Sequence, residues 1–116
     1  MEGDPRRPDR VVALADEALL DLANIDNTTA TTWGEAQADR YTSFLTVEMR
    51  ALAVAPETGR RIEGREEYRT YLARFSGSRW SHGHRILYRE IEGGIEVIRI
   101  LHSRMDLRRH VPKGGD

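Results

Sequence analysis

The sequence contains no cysteine, which excludes disulfide staples, thiolate metal centres and cysteine nucleophiles. No apolar run approaches the roughly 18 residues of a membrane-spanning helix. The opening MEGDPRRPDR lacks the apolar stretch of a secretion signal, so a cytoplasmic protein without membrane association is expected. No glycine-rich phosphate cradle is present, since Gly77, Gly83, Gly93 and Gly94 fit turns instead. No serine sits in a nucleophile-elbow context, and no His-Glu-x-x-His pattern occurs. Aromatic residues are only 7% of the chain, and Lys113 is its single lysine.

What is present is one domain's worth of chain. The 116 residues are 39% apolar and 32% charged, enough to bury one core under a wet surface. Residues 1–10 read as a disordered leader, 11–111 as the single domain and 112–116 as a flexible tail. The net charge of −1 hides an uneven division. Residues 11–58 carry two basic and eight acidic side chains, whereas 59–116 carry thirteen basic and eight acidic ones, a net +5. Nearly all of those bases are arginine, the side chain suited to bidentate contact with carboxylate or phosphate. An acidic partner, nucleic acid or peptide, is one implication. An arginine-favouring codon bias is the other.

Periodicity gives the elements. Residues 10–14 (RVVAL) fit a short strand. Asp16 is placed to cap a helix running to about Trp33, with Leu19, Leu22 and Ile25 on its buried face. Asn24 to Thr32 is poor helix sequence, with two asparagines and four threonines, so a fray or bend near Asn27 is expected. Gly34 turns the chain, and 35–55 form a stronger helix with Ala38, Tyr41, Leu45, Met49 and Leu52 along one side. Pro56 and Gly59 end it. Segments 68–75, 84–91 and 95–102 read as strands, the last two joined by a hairpin at Glu92-Gly93-Gly94. Apolar residues on both faces of 95–102 mark an interior strand. The expected fold is α+β, in the order β-α-α-β-β-β. A helix hairpin packs on an antiparallel sheet of three or four strands.

Candidate functional residues gather in the basic half. Arg85, Arg89, Arg99, His102, Arg104, Arg108, Arg109 and His110 surround Tyr88. Arginine and histidine together could stabilise and protonate phosphate oxygens during RNA cleavage. They could equally stack on bases, or pair with carboxylates such as Glu90 or Asp106. His82, His84, His102 and His110 are four imidazoles without a supporting metal motif, so no metal or other cofactor is expected. Trp33, at the hairpin corner, is expected in the core. Trp80, in a loop over 76–83, is a candidate interface anchor. Residues 102–110 are rich in bases and poor in apolar side chains, with Met105 and Leu107 packing back and Asp106 capping a short turn. That composition suits target contact better than core packing.

Several stretches carry a family resemblance: WGEAQADRY at 33–41, PETGR at 56–60, Tyr68-Arg69, RILYR at 85–89 and GIEVIRILHSRMD at 94–106, closed by His110. Together they resemble the RelE/ParE superfamily of toxins, and the ParE branch most of all. The resemblance implies the same β-α-α-β-β-β fold. It implies a toxin of a type II toxin-antitoxin system, neutralised by a cognate antitoxin that is ParD-like and of ribbon-helix-helix type. DNA would be met only indirectly, through that antitoxin. ParE-like members are expected to inhibit DNA gyrase without catalysis of their own. The alternative is a RelE-like, ribosome-dependent mRNA endonuclease, whose catalytic set here would be Arg85, Arg99, Arg104, His102 and His110. Target binding is expected at His102, Arg104, Arg108, Arg109 and His110, and antitoxin binding at Arg69, Arg85, Arg89 and Trp80.

Overall fold

Hydrophobic periodicity dictates two layers, and the computed structural model, which describes residues 10–75 and 83–112, has them. Strand β1 (Val11–Leu14) is followed by helices α1 (Asp16–Trp33) and α2 (Glu35–Val54), joined at Gly34. Gly34 has φ +95°, a conformation that disfavours any side chain. A short 3-10 turn (Pro56–Thr58) leads to β2 (Arg60–Ile62), β3 (Arg65–Ala73), β4 (His84–Ile91) and β5 (Gly94–His102). A second 3-10 turn, Leu107–Arg109, follows the last strand.

The α+β class and the element order are as the periodicity and the resemblance imply. The sheet is larger than the pattern suggested: five strands in the order β1-β5-β4-β3-β2. It is also mixed, because β1 pairs parallel to β5 while the other pairs are antiparallel. Strand β2 escaped sequence reading because it is three residues long and two of them are exposed arginines. Its visible sign was Glu63-Gly64, a two-residue connection with φ +82° at Gly64.

The core lies between helices and sheet. Ala18, Leu45, Met49 and Leu52 meet Ile86, Tyr88, Ile95, Val97 and Ile100 there. The inner face expected for α2 is the observed one: Ala38, Leu45, Met49 and Leu52 are buried and Tyr41 packs at the border. On α1 the face is rotated. Ala18, Leu22 and Ile25 point inward, and Leu19 is 50% exposed. Neither the fray near Asn27 nor the Asp16 cap occurs. Ala15 is the N-cap residue without a side-chain cap, and Asp16 and Glu17 stand in the first turn, where negative charge favours the helix dipole.

Strand β5 explains its own two-sided apolar pattern. Leu87 pairs with Arg99 and Tyr88 with Val97, which leaves Ile98 as an extra, bulged residue. The bulge shifts the alternation by one, so Ile95, Val97, Ile100 and then His102 all face the helices. Tyr88 ties the layers further. Its buried hydroxyl donates to Pro56 O at 2.7 Å and accepts from Gly59 N at 2.8 Å. Residues 1–9 of the expected 1–10 leader, residues 113–116 of the expected 112–116 tail, Trp80, His82 and most of the 76–83 loop lie outside the described residues.

Candidate functional site: a groove at the end of the sheet

The threonine-rich half of α1 does not reach the sheet. Asp21, Asn24, Ile25, Thr28, Thr29, Thr32 and Trp33 recur at helical spacing on one face, and that face lines a cavity of about 530 Å³. The β-branched threonines are poor helix formers, yet α1 stays continuous to Trp33 and their short side chains leave the gap open. Gln37 and Tyr41 of α2 form the second wall, and His84, Ile100, His102, Phe75 and Met105 complete it. The volume is typical of a binding pocket. Trp33 is 53% exposed and Met105 46% exposed, so two large apolar side chains stand in solvent beside the groove. The core position expected for Trp33 is therefore incorrect: the hairpin corner overhangs the sheet instead of packing on it.

The floor is an aromatic and imidazole cluster. Tyr41 Oη and His84 Nδ1 share a hydrogen bond of 2.6 Å. The His84 and His102 rings meet edge to face at 5.6 Å, as their direct pairing across β4 and β5 requires. Burial, with the neighbouring charge of His102, lowers the His84 pKa from 6.5 to about 4, against a weaker upward pull from Asp21. Burial pushes the Tyr41 phenol up to about 12. Both groups are thus neutral at pH 7. The backbone N–H of Arg104 donates to His102 Nδ1 at 3.2 Å, which places the proton of a neutral His102 on Nε2.

The lowered pKa has a testable sign. An unfolded His84 binds a proton near pH 6.5, whereas the folded one resists until about pH 4. Stability is therefore intact above pH 6.5 and falls as pH drops towards 4, by about 3 kcal/mol from this residue. Urea unfolding at pH 7.5 and 4.5 should show this loss, and His84→Gln should lose markedly less over the same interval. Equal losses in both proteins would contradict a neutral buried imidazole.

The arginines are divided by the sheet. Arg69 Nη1 donates to Gly59 O at 2.8 Å and anchors the turn after α2. Arg85 pairs in register with Leu101 on the face away from the helices, and it makes no ion pair among the described residues. Arg89 binds Glu96 at 2.8 Å, not Glu90. Arg99 grips Asp21 through Nε at 2.8 Å and Nη2 at 3.0 Å, lies 3.3 Å from Glu17, and reaches His110. Arg108 and Arg109 sit exposed on the last 3-10 turn, whose N-cap is Asp106, accepting from Arg108 N at 3.1 Å. Arg104 is exposed just past β5. Among the described residues no three His, Asp or Glu side chains gather as a metal site would need. No helix there is long and apolar enough to cross a membrane.

Asp21, Tyr41 and the Thr28–Thr32 wall were not singled out by sequence. Asp21 and Arg99 are 78 positions apart, and no local pattern joins them. The run of threonines was the available signal, since it is unfavourable for a helix unless the face it makes is used.

Residues 12–107 match the family model described as the ParE toxin of the type II toxin-antitoxin system parDE. The chain belongs to this ParE toxin family. Toxin ParE1 of Mycobacterium tuberculosis, in strains CDC 1551 and H37Rv, is 36% identical over 100 residues, covering 84% of this chain and 94% of the relative. A solved chain from the chromosomal ParDE system of P. aeruginosa superposes with a TM-score of 0.59 at 19% identity. It covers 82% of this chain and 97% of that one, which supports the fold of this ParE toxin.

Proposed function

We propose that this ParE toxin arrests growth by binding DNA gyrase through the segment from His102 to His110, and that a cognate ParD-like antitoxin neutralises it in the cytoplasm. The observation that carries the target surface is the state of its arginines. Arg108 and Arg109 are exposed on a capped turn and form no ion pair among the described residues, while the arginines of the sheet interior are mostly engaged. Side chains that the fold does not use are available to a partner.

Binding is favoured over RNA cleavage by the distribution of the nuclease candidates. His102 faces the helices beside His84, whereas Arg85 projects from the opposite face, and Arg99 is held by Asp21. General acid–base chemistry needs such groups around one reacting phosphate. Antitoxin binding is supported by the groove, whose apolar wall and exposed Trp33 and Met105 suit an apolar segment. Arg85, on the opposite face and without an ion pair among the described residues, would meet acids of the antitoxin only where its chain passes round to that face. Arg69 and Arg89 keep a place in that contact through their exposed edges.

The test replaces Arg104, Arg108 and Arg109 together by alanine. Folding and antitoxin binding should persist, while growth arrest on expression and inhibition of plasmid supercoiling by gyrase should be lost. A folded triple variant that remains fully toxic would move the contact elsewhere. mRNA cleavage by the wild-type protein in translating ribosomes, with supercoiling unaffected, would establish the endonuclease reading instead.

A further inference from the structure

Strand β5 outlasts its neighbour. Strand β1 pairs only with residues 94–97, so among the described residues the outer edge of β5 beyond Val97 has no strand beside it. Asp21 of α1 occupies that edge: its Oδ2 accepts from the backbone N–H of Ile100 at 2.9 Å. The same carboxylate receives two hydrogen bonds from Arg99, at 2.8 and 3.0 Å. The remaining nitrogen of Arg99 is shared between α1 and the segment after the strand, Nη1 lying 3.3 Å from Glu17 Oε1 and 3.1 Å from His110 Nδ1. Arginine has no acceptor, so it donates and His110 Nδ1 carries no proton. The Asp21 side chain is 13% exposed and that of Arg99 20%, so this is a half-buried fork, stronger than a surface ion pair.

We infer that Asp21 is a positioning residue for the C-terminal segment: through Arg99 it fixes His110, and so sets the pose of the 3-10 turn that presents Arg108 and Arg109. The consequence for toxicity rests on the reading that this segment contacts the target. The placement of the segment does not. Asp21 also lines the inner end of the groove, so one carboxylate touches both the cavity and the support of the tail.

Asp21→Asn separates the two roles of the carboxylate. The amide oxygen still accepts from Ile100 N–H, so the strand edge stays satisfied, but the charged two-point grip on Arg99 is gone. Arg99→Lys is the second variant: it keeps the charge beside Asp21 but cannot span Asp21 and His110 at once. Each is compared with wild type by far-UV circular dichroism, by hydrogen exchange and by the ¹⁵N shifts of the His110 ring. The expected result is a folded protein in which amides 107–111 lose protection by about tenfold or more. The His110 Nδ1 resonance should move from its fixed unprotonated position to a tautomer average. Should Asp21→Asn fail to fold, Arg99→Lys gives the same two readouts. A folded variant with wild-type exchange at 107–111 and an unchanged His110 signature overturns the inference, whatever its toxicity. A freed segment with undiminished growth arrest upholds it and instead removes the segment from the target contact.

Discussion

Leu45→Ala is expected to lower the unfolding free energy by about 2–5 kcal/mol. Leu45 is fully buried at the middle of α2, in the cluster that joins both helices to β4 and β5. Truncation removes apolar surface from the core and leaves a hole that two layers must close against each other. The hairpin itself resists that collapse, because Gly34 and the pairing of α1 with α2 fix its geometry. Leu52, two turns on and 2% exposed, should behave alike. Val47 provides the contrast on the same helix. It is 60% exposed, so Val47→Ala should change stability by no more than about 0.5 kcal/mol. Urea unfolding of the three variants decides the face assignment. Losses below half a kcal/mol at both leucines would refute it.

The face of α2 and the two long hairpin strands were legible because each repeats a single period over many residues. Residues 84–91 were read as a strand with the observed boundaries, since aliphatic and charged side chains trade places there under one geometry. The apolar positions of α2 were legible for the same reason. Long-range pairing was not. Nothing local says that Val11 lies beside Gly94, or that Asp21 closes the edge of β5. Size and apolarity argue for burial of Trp33, but it stands half exposed on the groove face of α1, about one turn beyond Thr28 and Thr29. The basic character of the candidate target surface was visible in the sequence. Which arginines the fold consumes was not, because Arg69, Arg89 and Arg99 take partners from other elements.

Gly94→Ala is expected to destabilise the protein by at least the roughly 3 kcal/mol at the upper end of ordinary overpacking. The sequence suggested that both glycines of Glu92-Gly93-Gly94 serve the turn, but they serve different ends. Gly93 supplies the turn conformation, with φ +82°. Gly94 is already in β5, and there a Cβ would collide with the backbone N, C and O of Val11. No flexible side chain can give way, so strand β1 must move. The hydrogen bond from Val11 N to Gly93 O and the parallel register from Val11 to Leu14 would be lost with it. That register continues into Ala15, whose N–H donates to Val97 O and fixes the start of α1. Displacing β1 therefore shifts α1 and with it Asp21, so the damage should extend to the far end of β5. Hydrogen exchange should show protection lowered in β3 and β4 only by the fall in global stability, and lowered further across β1, the first turns of α1 and at Ile100, whose N–H is held by Asp21. A Gly94→Ala protein with wild-type stability and protection would mean that β1 is not held against β5 as described.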